Sequence, residues 1–226
     1  MTSNGKTEGV CVFCGRRGGR GGMSRHLQGC ARRRAAIQAA NETPGEEETL
    51  IHLQVQDAAG GAFWLHLEMR GGATLKKLDE YLRAIWLECC GHLSQFNRGG
   101  WRGGPVGMAR RAKDALGEGV VLEHVYDFGS SSCSVVKVVA ARQGRPLSRH
   151  PILLMARNEM PVVACAECGE PGTRLCVECM YEMGDGVLCE AHAATHPHEE
   201  YGEPLPLVNS PRLGTCGYEG PAEPPY

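Results

Sequence analysis

From Thr49 the chain alternates apolar and polar residues with a period of two. Ile51, Leu53 and Val55 fall on one side, and His52, Gln54 and Gln56 on the other. After a turn at 57–61, Phe63, Leu65, Leu67 and Met69 alternate in the same way with Trp64, His66 and Glu68. The spacing predicts a β-hairpin with one buried face and puts His52 and His66 on its exposed polar face. Beyond Gly71 and Gly72 the period changes. Leu75, Leu78, Leu82, Ile85 and Trp86 recur at helical spacing, which predicts a helix capped by Thr74, ended by Gly91 and buried along that stripe. Two more strands are expected at 120–128 and 134–141, with edge strands at 152–155 and 161–163. The result is an α+β class: a central antiparallel sheet covered by a helix.

Glycine and proline divide the rest. The stretch 41–48 has a linker composition of Pro, Gly and acids. Residues 97–119 are rich in Gly and Arg and read as a long loop or a partly helical insertion, a mobile surface loop with no fixed partner in preference to an extension of the basic surface through Trp101, Arg98, Arg102, Arg110 and Arg111. The expected organisation is a basic module at 1–40, a linker at 41–48, an α+β core at 49–160 and an acidic module with tail at 161–226. Two small modules thus flank the core.

The chain has 226 residues, 6% of them aromatic, with 31 glycines and 13 prolines, so one modest core and many turns are expected. No apolar run is long enough to span a membrane, and the first residues lack the apolar centre of a signal peptide. A cytoplasmic, reducing location is expected. There the 12 cysteines, several in C-x2-C pairs, read as metal ligands rather than disulfides.

Two stretches carry that chemistry. Cys11, Cys14, His26 and Cys30 give C-x2-C-x11-H-x3-C, four ligands for one closed Zn²⁺. A helix capped by Ser24 and running on through residue 40 would put His26 and Cys30 on one face, four residues apart. So small a module folds only with its metal. The second stretch, 165–198, holds Cys165, Cys168, Cys176, Cys179, Cys189, His192, His196 and His198. That is more ligand than one ion takes, so two further Zn²⁺ are expected, three in all. Cys216 competes with His196 and His198 for the last places, and a single ion held by Cys165, Cys168, Cys176 and Cys179 is the other arrangement. Cys89 and Cys90 have no spaced partner and read as buried or free thiols. A surplus of thiolates closes a zinc shell and lowers its Lewis acidity, so the sites read as structural and the protein as no enzyme. Cys133 and the serines around it lack a base at a diagnostic spacing, and the glycine-rich stretch at 15–22 lacks the ending of a P-loop.

Charge separates the ends. Residues 1–40 carry eight basic residues and one acid, whereas residues 159–226 carry two basic residues and twelve acids. Arg16, Arg17, Arg20, Arg25, Arg32, Arg33 and Arg34 form the expected contact surface for DNA or RNA phosphates. The acidic end is the expected site of a protein partner.

Thr74-Leu75, His92-Leu93-Ser94-Gln95-Phe96 and Tyr126-Asp127-Phe128-Gly129 resemble the plasmid ORF-three-like domain family. Within it they are similar to the TnpR-like passengers of insertion elements. That branch is also similar in its leading H-L-x-x-C finger, its trailing Cys/His cluster and the ending Asn209-Ser210-Pro211-Arg212-Leu213-Gly214-Thr215-Cys216-Gly217-Tyr218. Here Ser130-Ser131-Ser132 stands where many members have an acid and a Trp. The resemblance implies a fold and a mobile-element origin, with no activity to carry over. The C-terminal cluster resembles a B-box, which implies alternating ligand pairs: Cys165, Cys168, Cys189 and His192 on one ion, and Cys176 and Cys179 with His196 and His198 on the other. The first finger also resembles ubiquitin-binding zinc fingers in its ligand spacing, with Gln28 where those carry an Asp.

Overall fold

In the computed structural model the described residues are 7–87, 90–100, 103–198 and 200–226; Cys89, Trp101 and Arg102 lie outside them. The chain opens with strand β1 (Glu8–Cys11), β2 (Arg17–Gly19) and helices α1 (Arg20–Gly29) and α2 (Ala31–Glu42). The hairpin β3 (Glu48–Asp57) and β4 (Trp64–Arg70) follows, then α3 (Leu75–Leu82), which continues as a π-helical turn at Arg83–Leu87. Next come β5 (Ser94–Arg98), β6 (Gly104–Val106), the short α4 (Ala112–Ala115), β7 (Val121–Tyr126), β8 (Ser132–Gly144) and β9 (Ile152–Asn158). The last part holds β10 (Arg174–Leu175), α5 (Val177–Met183), β11 (Val187–Leu188), α6 (Glu190–Ala193) and β12 (Leu205–Pro206).

The first nine strands form one antiparallel sheet in the order β2-β1-β9-β4-β3-β8-β7-β5-β6. The period-two pattern sets its centre: Leu53 lies opposite Leu67, and Val55 opposite Leu65. On that face Leu75, Leu78, Leu82, Ile85 and Trp86 of α3 and its π turn pack as buried core. The stripe read from the sequence is the stripe the helix buries. Thr74 stands at the cap position with extended backbone, without a side-chain cap bond.

The opposite face departs from expectation. Trp64 packs there with Met23 and Leu27 of α1 and Met155 of β9. His52, His66 and Glu68 are buried under the same cover rather than exposed. Helix α1 carries too little apolar surface to announce this, and its cover is provided by residues distant in sequence. His52 Nε2 lies 2.9 Å from His66 Nδ1, and His66 Nε2 lies 3.2 Å from the Arg20 carbonyl oxygen. Arg33 donates to Glu68 at 2.9 Å, and Arg142 donates to the same carboxylate at 2.8 Å. Removing one partner from such a buried group costs about 3–5 kcal/mol, because the remaining charge is left without a counter-charge.

The first module is therefore joined to the sheet by hydrogen bonds. Gly9, Val10 and Cys11 pair with Asn158, Arg157 and Ala156 of β9. That puts β9 between β1 and β4 rather than at an edge, and 161–163 forms no strand. Helix formation begins at Arg20, not behind Ser24, whose hydroxyl instead donates to Gln54 at 3.1 Å. The expected single helix breaks at Cys30, which adopts extended backbone with φ −62° and ψ 114°. Residues 97–119 hold the end of β5, its hairpin partner β6 and α4.

The C-terminal part folds around a three-stranded sheet ordered β11-β10-β12. Leu175, Val177, Val187 and Leu213 continue the main core. The stretch from Asn209 to Arg212 fastens it to the core. Asn209 exchanges hydrogen bonds with Asn158 at 3.0 Å, Ser210 Oγ donates to the Trp86 carbonyl, and Arg212 donates to the Ser132 hydroxyl at 2.8 Å.

Candidate metal centres

The first centre is built on a tight turn. Cys11 ends β1, and its N–H donates to the Arg16 carbonyl at 2.9 Å, while the Gly15 N–H returns to the Cys11 carbonyl at 2.8 Å. Gly15 takes φ +74°, a conformation open to glycine at little cost. This turn aims Cys11 and Cys14 the same way. His26 on α1 and Cys30 at the α1–α2 break complete the set, with Cys14 Sγ 3.3 Å from His26 Nε2. The break gives Cys30 its role: it turns the chain so that the fourth ligand atom closes the group.

The second centre repeats the turn. Cys165 N–H donates to the Glu170 carbonyl at 2.7 Å, and Gly169 N–H to the Cys165 carbonyl at 2.9 Å, with Gly169 at φ +77°. Cys189 caps α6, and His192 lies one turn into it. His192 Nδ1 lies 3.5 Å from Cys165 Sγ and 3.3 Å from Cys189 Sγ. In the third centre Cys176 caps α5 and accepts the Cys179 N–H at 3.4 Å. His196 Nε2 and His198 Nδ1 lie 3.2 and 3.0 Å from Cys179 Sγ. The two centres interleave along the chain, so each crosses the other.

In each group the four ligand atoms lie within 4.8 Å of one another. A tetrahedral ion bound at roughly 2.0–2.3 Å requires ligand separations of about 3.3–3.8 Å. The groups fit a soft or borderline dication held by thiolates and imidazoles. Backbone amides prepare the thiolates. Burial pushes the Cys165 thiol up, but the amides of Cys189, Cys168 and Glu167 outweigh it and bring it down to about 6. Burial likewise raises Cys30, against which the Arg33 and Arg32 amides hold it below its ordinary value. Burial takes Cys11 up to about 11 and Cys179 up to about 12. A dication at these sites reverses such shifts by stabilising the thiolate directly.

Cys216 joins none of the groups. It accepts a hydrogen bond from Arg212 at 2.8 Å and lies beside Cys90. Nor do Cys165, Cys168, Cys176 and Cys179 share a single site. The spacing could not choose between His196, His198 and Cys216; the turn after α6 brings both histidines, and not Cys216, to Cys179.

The seven arginines separate. Arg33 is buried on Glu68, which withdraws it from any contact surface. Arg17 pairs with Glu8 and Glu159, and Arg20 donates to the Gly61 carbonyl at 2.9 Å. Arg16, Arg25, Arg32 and Arg34 are exposed, and among the described residues none of these four forms a salt bridge. Among the described residues no helix is long and apolar enough to cross a membrane.

No family model matches the chain, and no curated protein matches it. Nothing there supports the resemblance to the plasmid ORF-three-like family. Among solved structures, a protein of unknown function, MM3350 from Methanosarcina mazei Go1, is similar at 16% identity. The match covers 49% of this chain and 69% of that one, with a TM-score of 0.41, too low to carry an argument. The chain is thus defined by its own parts: a large antiparallel sheet with three Cys/His groups.

Proposed function

We propose that the protein is a non-enzymatic binding protein stabilised by three structural Zn²⁺ ions. Three sets of four thiolate and imidazole donors support this, since such sets leave a tetrahedral ion no open position for substrate or water. A reducing compartment such as the cytoplasm suits it, because there the thiolates stay available.

The same reading makes the first module a phosphate-contacting surface for DNA or RNA. The observation that carries it is the exposed set Arg16, Arg25, Arg32 and Arg34, whose guanidinium groups have no acidic partner among the described residues. Guanidinium forks match phosphate oxygens, and their contribution falls with salt through counterion release. The mobile-element assignment rests on motif resemblance alone: Thr74-Leu75 opens α3, His92–Phe96 leads into β5, and Tyr126–Gly129 closes β7.

The test is fluorescence anisotropy of labelled duplex DNA and of RNA with the full chain, titrated in salt. Replacing all four arginines by Ala is expected to weaken binding uniformly across sequences. It should also flatten the slope of log K against log salt by about 3–4. Absence of binding by the intact, metal-loaded protein at low salt removes the reading.

A protein-interaction role through the C-terminal module is the second reading. It is favoured by exposed Tyr181, Met183 and Tyr201, with the two tyrosine rings 5.9 Å apart. Aromatic and Met side chains set in an acidic surface suit a partner with a basic rim. A stoichiometric complex that Tyr181→Ala with Met183→Ala abolishes, in nuclease-treated samples, would establish it.

A further inference from the structure

Two cysteines outside the metal centres lie in one cluster. Cys90, exposed behind the π turn of α3, lies 2.9 Å from His92 Nδ1 and 3.6 Å from the Tyr126 hydroxyl. Cys216, from the other end of the chain, accepts from Arg212 at 2.8 Å. Both belong to one cluster: His92 Nδ1 lies 3.5 Å from Asp127, and Arg212 lies 3.4 Å from the same carboxylate and 5.4 Å from the centre of the Tyr126 ring. The two thiols are close enough to perturb each other's ionisation.

We propose that Cys90 and Cys216 form an oxidisable dithiol, a modification site for hydroperoxides that is separate from the metal centres.

The chemistry follows from the neighbours of each sulfur. His92 takes the Cys90 proton, and Asp127 stabilises the resulting imidazolium. Asp127 is present as a carboxylate: burial raises it, but the amides of Gly129 and Ser130, with the charges of His92 and Arg212, hold it below the usual range. The exposed Cys90 thiolate attacks a peroxide oxygen. An S–O bond forms, the O–O bond breaks, and the leaving oxygen takes up a proton, giving the sulfenic acid of Cys90. Burial pushes the Cys216 thiol up against the pull of Arg212, so Cys216 is the resolving thiol rather than the first to react. As a thiolate it attacks the Cys90 sulfur. An S–S bond forms, the S–O bond breaks, and the hydroxide leaves with a proton as water. In total two thiols lose two electrons and two protons, and one hydroperoxide is reduced to an alcohol or water plus one water.

The bond would tie the end of the α3 segment to the C-terminal stretch that Ser210 and Arg212 already dock. It spends no metal ligand, because neither cysteine belongs to a Cys/His group. Reactive, reversible thiols of this kind are the ones that a reducing compartment keeps for sensing.

The test uses the full, metal-loaded chain carrying Cys89→Ser, so that the peptide assignment is unambiguous. It is treated with hydrogen peroxide and mapped without reduction. The expected product is a peptide pair joining Cys90 to Cys216, two hydrogens lighter than the dithiol, with bound metal unchanged. With Cys216→Ser, Cys90 should stop at a sulfenic acid that dimedone traps, and His92→Asn should slow that trapping several-fold. Oxidation at Cys133 as fast as at Cys90 would overturn the proposal. So would loss of metal before any cross-link, or trapping unaffected by His92→Asn. The first measurement needs no variant of the pair, so a misfolded variant cannot protect the proposal.

Discussion

Arg33 donates to Glu68 at 2.9 Å with both side chains buried, locking α2 onto β4 from the face opposite α3. The Arg33 Nη1 also donates to the Leu27 carbonyl at 3.1 Å, so one side chain holds the end of α1 as well. Arg142 supplies the second cation on the same carboxylate. Glu68→Gln keeps the shape and removes the counter-charge of both guanidinium groups. It is expected to cost about 3–5 kcal/mol in urea unfolding. A loss below about 1 kcal/mol would mean that solvent reaches the group after all.

Arg33 and Arg34 are adjacent in sequence and opposite in role. Arg34→Ala should weaken nucleic-acid binding and reduce its salt slope by about one, with unfolding unchanged within about 0.5 kcal/mol. Arg33→Ala should do the reverse, lowering stability while leaving the slope alone at temperatures where the variant is folded. Equal salt slopes in the two variants would remove the distinction drawn from burial.

The His52–His66 pair sets a pH dependence. Burial keeps both rings neutral. With neutral rings one proton arrangement satisfies the pair: His66 Nε2–H donates to the Arg20 carbonyl, and His66 Nδ1 accepts from His52 Nε2–H. Burial, then the neighbouring His66 and Arg33, lowers His52 to about 3. Burial lowers His66 to about 4, with the Arg20 carbonyl opposing and the Arg20 charge assisting. Unfolded histidines titrate near 6.5, so between that value and about 3 the unfolded chain binds more protons. The contribution of the pair is fully present above about 6.5 and is lost as pH falls through this window. Nitrogen shifts of the two rings should show neutral Nε2–H tautomers at about pH 5, where exposed histidines are charged. Protonated rings at that pH, with metal still bound, would contradict the buried arrangement.

Metal content separates the ligand sets. The wild type is expected to hold three ions and Cys216→Ser still three. His198→Ala should weaken or empty the third site, leaving Cys176, Cys179 and His196 as its donors. Chelator treatment should unfold the C-terminal module, whose two-residue strands and short helices bury little surface of their own. Loss of an ion on Cys216→Ser would return that cysteine to the ligand set.

Sequence pattern revealed local structure and missed what depends on distance. The β3–β4 hairpin and α3 were legible because each is one period over one stretch. The metal turns were legible because C-x2-C and its following glycine form a self-contained hydrogen-bonded unit. His52 and His66 were misplaced because a period of two reports which residues share a face, not whether a second layer covers the polar one. Seven arginines in one stretch look alike until Glu68, Glu159 and Gly61 arrive from elsewhere to claim three of them. Cys90 and Cys216 had no legible link at all. The only signal was that the Tyr126–Gly129 and Asn209–Tyr218 motifs each lacked an explanation, and the fold supplies one by packing Arg212 against Asp127.

Gly9 offers the sharpest test of how the first module joins the sheet. A Cβ on Gly9 would sit 2.2 Å from the Arg157 carbonyl oxygen and 2.5 Å from Cη2 of Trp64. Neither can yield easily, since one is backbone in β9 and the other is a fully buried ring. Gly9→Ala should therefore cost about 1–3 kcal/mol through overpacking. Because Cys11 ends the same strand, the strain should also speed release of the first ion to a chelator. Gly18→Ala, whose Cβ meets nothing within 4 Å, is the matched control and should change neither quantity. If the two variants behave alike, β1 is not held against β9 as described. The basic module would then be held to the sheet by α1 and α2 alone, through Arg33 on Glu68 and the cover of Met23 and Leu27 over Trp64.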